Sequence, residues 1–261
     1  MCGHCPTHPV LFFEEKIIIA MTTKKLNEKK LIQVKNVNGC TNFGSLEIVG
    51  NKMYTIKTRS DNALSTISEY PDYRKTTRKN HKFANCMNHG NDITYHAGNL
   101  YVAPCGKYIE VVSTSTWEHH RLYCDIFLSG IAHWSGNQFI GLSSSSAPQY
   151  TLALLEPQGD RMVVIKKWKV NNPKHAAGFT VSQGIGVKKS NQRIFVVFTR
   201  NDFHTNVILR SKIYDSECDY CLTSKSSDGK YELEGISFLS DGYKIIGSNL
   251  PDGKDATFIA K

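Results

Sequence analysis

The chain has 261 residues, of which 40% are hydrophobic and 21% charged, and its formal net charge is +9. This composition supplies a packed core, which excludes a largely disordered chain, and the length fits one large domain or two ordinary ones. No segment reaches the ~20 consecutive apolar residues of a transmembrane helix. The best candidate, Val10–Met21, is interrupted by Glu14, Glu15 and Lys16, which also argues against a signal peptide. We therefore expect a cytoplasmic protein with no membrane partner.

One local pattern recurs along the chain: a short strand, a tight polar turn and a second strand. The six copies are Val10–Thr22, Leu46–Thr58, Ile93–Ala103, Ile131–Leu142, Ile185–Val197 and Ile236–Ile246. Gly-Asn, Ser-Asn and Asp-Gly turns between alternating apolar residues are a strong hairpin signal.

Further strand-like runs lie between the hairpins. They are Ala63–Tyr70, Tyr108–Ser113, His120–Phe127, Tyr150–Leu155, Met162–Val170 and Val207–Tyr214. Short strands in units of about 44 residues, with no amphipathic helix, predict an all-β fold, a single β-propeller domain spanning residues 1–261. The alternative is a β-sandwich, which gives no reason to repeat one hairpin six times.

The number of blades depends on how the ring closes. Six hairpins favour six blades, but only 25 residues follow Ile236, enough for three strands. If Leu31–Val37 supplies the missing strand, the ring has five blades and Val10–Thr22 becomes an accessory hairpin. We predict six blades and keep five as the alternative.

The eight cysteines include two pairs with metal-chelate spacing, Cys2 with Cys5 and Cys218 with Cys221. More than 200 residues separate the pairs, whereas structural zinc modules are compact, so we expect no zinc site. The remaining four are predicted to be small buried hydrophobic residues: Cys40, Cys86, Cys105 and Cys124.

Positive charge is concentrated in three groups, Lys24–Lys30, Arg74–Lys82 and Lys166–Lys169. No nucleic-acid-binding motif accompanies them. We expect them to form solvated faces of a monomer whose ligand is a small molecule rather than a nucleic acid. The alternative, a propeller that binds nucleic acid, requires the basic groups Arg74–Lys82 and Lys166–Lys169 to lie on one face.

The hairpin alignment also predicts which residues line the axis, because the innermost strand of each propeller blade starts beside the central channel. Two positions before the first apolar residue, the copies have His8, Gly44, Asn91, Ser129, Gln183 and Glu234. One position before it, they have Pro9, Ser45, Asp92, Gly130, Gly184 and Gly235.

Four of these residues, Asn91, Asp92, Gln183 and Glu234, supply oxygen ligands that suit a hard divalent cation such as Ca²⁺. The alternative is that they make turns and hydrogen bonds between blades. Neutralising Glu234 or Asp92 is expected to weaken ligand or metal binding and to leave folding largely intact.

His89 lies close to this ring and is a candidate general base, preferred over His8. We therefore predict His89, Asp92 and Glu234 as catalytic residues. The chain has no nucleophile elbow, P-loop or His-Glu-x-x-His motif, which argues against covalent acyl chemistry and nucleotide hydrolysis by those routes.

Two segments, His89–Ile93 and Glu234–Gly242, resemble the strand-start motifs of the six-bladed gluconolactonase/senescence-marker and paraoxonase-like propellers. The resemblance implies that Glu234, Asn91 and Asp92 hold one divalent cation that helps to open a lactone or ester. Gln183 and Ser129 stand where that group usually has Asn or Asp, which makes a weaker cation cage. The resemblance favours a metal-dependent lactone or ester hydrolase. The alternative is a non-catalytic propeller that recognises a peptide, glycan or protein.

Overall fold

The computed structural model describes residues 22–144, 149–171, 179–200, 205–225, 232–250 and 255–261. The regular secondary structure of these segments is β-strand apart from a single turn of 3-10 helix at Lys189–Asn191. The strands are β1 Thr22–Lys25, β2 Glu28–Gln33, β3 Asn42–Val49, β4 Lys52–Thr58, β5 Leu64–Tyr70, β6 Lys79–Ala84, β7 Asp92–His96, β8 Asn99–Ala103, β9 Gly106–Ser113, β10 His119–Leu128, β11 Gly130–Ser135, β12 Gln138–Ser144, β13 Gln149–Gln158, β14 Arg161–Asn171, β15 Phe179–Lys188, β16 Arg193–Arg200, β17 Thr205–Ser211, β18 Tyr220–Lys225, β19 Glu232–Phe238, β20 Lys244–Asn249 and β21 Ala256–Ala260.

Five of the six predicted hairpins are present, as β3–β4, β7–β8, β11–β12, β15–β16 and β19–β20. The sixth, Val10–Thr22, lies outside the described residues except for its last residue. The turns have the expected chemistry: Gly98, between β7 and β8, has a φ of +83°, which a side chain would disfavour.

The hairpins are parts of four-stranded antiparallel blades. Blade I is β3–β6, blade II β7–β10, blade III β11–β14, and blade IV β15–β18 with β1 added in parallel to β18. Blade V is β19, β20, β21 and β2. The innermost strands β3, β7, β11, β15 and β19 contact one another in a closed circle, as the innermost strands of a propeller do.

The ring formed by the described residues has five blades, the alternative count, and not the six that we predicted. The count is five because a strand that precedes blade I, and not a sixth hairpin, completes the last blade and closes the ring. Blade V has three strands from the end of the chain, and its fourth is β2, which pairs antiparallel with β21 through Lys30 and Phe258. The closing strand Glu28–Gln33 begins before the predicted Leu31–Val37 and shares only its last three residues with it.

Apolar packing between blades holds the ring together. The buried hydrophobic residues form five clusters, one at each interface between neighbouring blades. At the interface of blades II and III, for example, Leu128 of β10 packs with Phe139 and Leu155 of blade III. Because each blade is covered on both faces, its strands carry apolar residues on both faces as well.

The three basic groups lie largely on outermost strands. Lys24–Lys30 runs through β1 and β2, Arg74–Lys82 leads into β6, and Lys166–Lys169 is in β14. Lysines on an edge strand discourage pairing with another chain. Arg74–Lys82 and Lys166–Lys169 belong to blades I and III, which blade II separates. In the described part of the chain, no helix has the length and apolar character needed to cross a bilayer.

A buried ion pair joins the first blade to the last. The Lys57 side chain of β4 donates to the Asp255 carboxylate just before β21, and the two side chains are 1% and 0% exposed. Lys57 Nζ also donates to Asn36 Oδ1 at 2.6 Å. Burial lowers the pKa of Lys57 and raises the pKa of Asp255, so desolvation outweighs their mutual attraction.

We expect Asp255→Asn to lower the free energy of unfolding by about 3–5 kcal/mol, because it leaves the Lys57 ammonium buried without a counter-charge. The double variant Lys57→Met/Asp255→Leu should recover most of that loss, because it removes both desolvation penalties. Urea unfolding measures both. Lys52→Met, which breaks the exposed pair with Glu69, is the control and should cost about 1 kcal/mol or less. A double variant as unstable as the single one would contradict this account.

Candidate functional site at the axial channel

The innermost strands meet at the position just before the first apolar residue of each repeat, where four of the five residues are Gly or Ser. The corresponding positions are Ser45, Asp92, Gly130, Gly184 and Gly235. A Cβ atom on Gly235 would overlap Ser45 Oγ, and a Cβ on Gly130 would lie 3.1 Å from Asp92 Oδ2. The small residues therefore leave room on the axis for a single carboxylate.

That carboxylate, Asp92, is 1% exposed and ties three blades together. Its Oδ1 accepts a hydrogen bond from the backbone N–H of Ile93 at 3.0 Å. Its Oδ2 accepts from Ile131 N at 2.9 Å and from Ile185 N at 3.0 Å. Burial raises the pKa of Asp92 to about 7, although these N–H groups favour the charged form. Ser45 Oγ also favours it, without reaching regular hydrogen-bond geometry.

The amide of Asn91 makes similar contacts between blades. The residue is 4% exposed, and its Nδ2 donates to Ser129 O at 2.6 Å and to Gln183 O at 2.5 Å. Asn91 and Asp92 thus converge with the other axial residues, and the hydrogen bonds described above join their side chains to backbone groups. Their roles as cation ligands, and that of Asp92 in catalysis, stay predictions.

Gln183, Glu232 and Glu234 lie together at one end of the axial channel, which we call the mouth. The sequence analysis predicted Glu234 at this end but missed the second carboxyl, Glu232. Burial raises the pKa of Glu234 well above its ordinary value, and the negative charges of Glu232 and Asp255 raise it further. Glu232 Oε1 accepts a hydrogen bond from Gln183 Nε2 at 2.9 Å. Glu232 stands two residues before Glu234, and the two-residue period of a strand could have placed both on one face.

A chain of hydrogen bonds through Asn42 and Asn249 connects His89 to the carboxyls at the mouth. Its Nδ1 is 3.3 Å from Asn62 Oδ1, and Asn42 Nδ2 lies 3.4 Å from Nδ1 and 3.5 Å from Nε2. Asn42 Oδ1 accepts from Asn249 Nδ2 at 3.2 Å, and the Asn249 side chain also bonds to Glu232 and Glu234. Burial lowers the pKa of His89, so its imidazole is neutral near pH 7.

Assigning the proton of His89 to Nδ1, where Asn62 Oδ1 can accept it, leaves the Nε2 lone pair as the basic site. The polar network thus connects a neutral imidazole to a pair of carboxyls. Asn42, Asn62 and Asn249 lay outside the predicted ring because they belong to strand ends and to a turn rather than to the repeated position.

Of the cysteines predicted to be buried, Cys40, Cys86 and Cys124 are buried and Cys105 is only half-buried. Burial raises the pKa of the Cys105 thiol to about 12, and the negative charges of Asp92 and Glu234 raise it further.

The expectation that the cysteines form no zinc site stays a prediction, because Cys2, Cys5 and His8 lie outside the described residues. Cys218 Sγ is 3.4 Å from the Tyr150 hydroxyl, and Cys221 is fully buried in the core between blades III and IV. In the segments that the structure describes, no three or more His, Cys, Asp or Glu side chains group as they would around a metal ion.

No family model matches this chain, and no curated protein of similar sequence was found. The fold is similar to the crystal structure of glutaminyl cyclase from Myxococcus xanthus, with a TM-score of 0.62 and 10% identity. The match covers 91% of this chain and 98% of that chain. An identity this low shows the fold alone. It supports the propeller architecture and leaves the resemblance to gluconolactonases at the level of the broad fold.

The contacts of Asp92 revise the expectation that its neutralisation leaves folding intact. In Asp92→Asn, an NH₂ group replaces a carboxylate oxygen that accepts a hydrogen bond from a backbone N–H. Two hydrogen-bond donors then face each other, and neither has an acceptor. We expect a loss of about 1–3 kcal/mol in the free energy of unfolding, measured by urea titration. Glu234→Gln is the matched control and should be as stable as the wild type or more stable, because burial already favours the neutral form of that side chain.

The same carboxyl predicts a pH dependence of stability. The folded-state pKa of about 7 lies above the ordinary 3.8, so the contribution of Asp92 is complete below about pH 4 and is lost as the pH rises through 7. Asp92→Asn should lack this decline between pH 4 and 7. An unchanged pH profile in that variant would assign the decline to other groups.

The crowding at the axis can be tested with a rescue experiment. Gly235→Ala should destabilise the fold by about 1–3 kcal/mol, because the new methyl group overlaps Ser45 Oγ. Ser45→Gly removes the obstructing atoms, so the double variant should be more stable than Gly235→Ala alone. A double-mutant cycle from urea unfolding measures the coupling. Additive effects would mean that the two residues do not share this space.

Proposed function

We propose that the protein is a metal-dependent hydrolase that opens a small lactone or ester at the mouth of the channel. The observation that carries the proposal is the pair of carboxyls formed by half-buried Glu232 and buried Glu234. The pKa of each is raised, mainly by burial. Strongly perturbed carboxyls in a polar cluster are typical of functional sites. The fold, which also hosts an enzyme in the structural neighbour, is compatible with this activity.

The donor set at the mouth suits a hard divalent cation. Glu232 and Glu234 supply carboxylate oxygens, and Gln183 and Asn249 supply amide oxygens, which are the ligands that Ca²⁺ takes. The repulsion between the two carboxylates is what a cation would relieve. We therefore propose that the cation is held by Glu232, Glu234 and Gln183. Asn91 and Asp92, predicted as further ligands, act in this proposal as positioning residues that hold the inner strands together.

A bound cation would polarise the carbonyl group of the substrate. His89 Nε2 would accept a proton from water as the water oxygen forms a bond to the carbonyl carbon. The bond between that carbon and the ester oxygen then breaks, and the imidazolium returns the proton to the leaving oxygen. The products are a carboxylic acid and an alcohol, which together contain the atoms of the substrate and of one water molecule. Asn62 would keep His89 in the tautomer that this step requires.

We expect Glu234→Gln to weaken Ca²⁺ binding at least tenfold and to abolish most hydrolysis without loss of stability. Calcium binding is measured by calorimetry, and hydrolysis with δ-gluconolactone, γ-butyrolactone and phenyl acetate, each with Ca²⁺ and with a chelator. Glu118→Gln, which neutralises an exposed carboxylate in the turn between β9 and β10, is the control and should change neither. Because burial raises the pKa of Glu234, Ca²⁺ must displace a proton, so the affinity for Ca²⁺ should rise with increasing pH.

The outcomes separate the competing functions. Ca²⁺ binding without turnover of any ester would favour the non-catalytic binding propeller. Cyclisation of a glutaminyl compound, the activity in the name of the structural neighbour, would replace hydrolysis as the activity of this site. Absence of both Ca²⁺ binding and hydrolysis in the wild type would contradict the proposal.

A further inference from the structure

A cavity of about 290 Å³ lies at the other end of the channel, away from Glu234. The inner strands run from the mouth towards it, and Asp92 lies between the two ends. Polar side chains from all five blades line the cavity: Glu47 of β3, Thr94 of β7, His133 of β11, Lys188 at the end of β15, Lys189 directly after it, and Ser237 of β19. Its volume is at the lower limit of ligand pockets, which span roughly 300–1,000 Å³, so it suits a small molecule.

Glu47 is held inside this cavity by the neighbouring blades. Ser237 Oγ donates to Glu47 Oε2 at 3.3 Å and accepts from Ile48 N at 3.1 Å. Burial raises the pKa of Glu47 to about 8; Asp92 raises it as well, whereas Lys189, Ser237 and the Tyr95 backbone lower it. Near neutral pH, the Glu47 carboxyl is therefore mostly a neutral group that can donate a hydrogen bond.

Lysines at the rim make the cavity electropositive. Lys189 Nζ lies 2.8 Å from His133 Nδ1, and His133 Nε2 is 2.9 Å from Gly136 O. The imidazole thus donates to a carbonyl and accepts from the lysine, so it is neutral and leaves the charge of Lys189 uncompensated. Lys188 lines the same cavity. Among the described residues, neither Lys188 nor Lys189 has an ion-pair partner.

The wall beside the lysines is apolar. Ile48, Val187 and Phe238 line it, from blades I, IV and V. A ligand that fits must therefore combine a negative group, a short apolar body and an acceptor for the Glu47 carboxyl. Inorganic phosphate lacks the apolar body, and an organic ammonium ion would be repelled by the lysines.

We propose that this cavity binds a small organic carboxylate, whose negative group pairs with Lys189 and Lys188 and whose body packs against Ile48, Val187 and Phe238. A hydroxyl or carbonyl oxygen on the ligand accepts a hydrogen bond from Glu47. The site is separate from the proposed hydrolase site, so neither proposal depends on the other.

Four compounds test the proposal by calorimetry and by chemical-shift changes in the protein: 3-hydroxybutyrate, butyrate, inorganic phosphate and butylammonium. We expect 3-hydroxybutyrate to bind most tightly. Lys189→Met should weaken its binding roughly tenfold or more, because it removes a charged hydrogen-bond donor. Lys107→Met, which removes an exposed charge on β9, is the control and should change the affinity less than twofold. Glu47→Gln keeps a neutral donor and should also retain binding.

Binding of 3-hydroxybutyrate that is lost in Lys189→Met and kept in Lys107→Met and in Glu234→Gln supports the proposal. Three results would overturn it: no binding of either carboxylate, tighter binding of phosphate or butylammonium than of the carboxylates, or equal affinity in wild type and Lys189→Met. Lys189 is exposed in the structure, so its substitution leaves the core unchanged and a loss of binding reports on the cavity.

Discussion

Every blade of this protein has two apolar faces, and both must be covered by a neighbour. An open row of blades would leave the first and last faces in water, so burial of apolar surface drives the row to close into a ring. Closure requires a strand from the start of the chain: β2 completes blade V, and the Lys57–Asp255 pair joins that blade to blade I. The five apolar clusters between blades follow from this closure, and so does the position of the channel.

Closure into five blades also brings the inner strands so close that the axis has room for one carboxylate. Asp92 occupies it and accepts hydrogen bonds from the backbone N–H groups of Ile93, Ile131 and Ile185. The axial residues deepest in the ring are therefore engaged in holding blades together. Glu232 and Glu234 meet at the mouth, where Glu232 is half-buried and Glu234 is buried.

The two ends of the channel differ in charge. The mouth has two neighbouring carboxyls and a neutral imidazole. The opposite cavity has two lysines, which form no ion pair with the described residues, and a carboxyl that is mostly protonated near neutral pH. Burial accounts for the titration behaviour at both ends, because a low-dielectric interior disfavours whichever form of a group is charged. A cation at the mouth and an anion at the opposite end would each neutralise the charges that the fold leaves there.

The sequence by itself determined the local structure and the alignment of the repeats. Turn residues and alternating apolar residues act over short distances, so five hairpins were predictable, and their alignment indicated that Asn91, Asp92, Gln183 and Glu234 lie at corresponding or adjacent axial positions. Only the tertiary structure decided the number of blades, because the pairing of β2 with β21 joins opposite ends of the chain. It also decided that Asp92 holds strands together, that Glu232 joins Glu234 and that Glu47 meets Lys189 in a cavity. These contacts depend on where separate blades place their side chains, which no local pattern specifies.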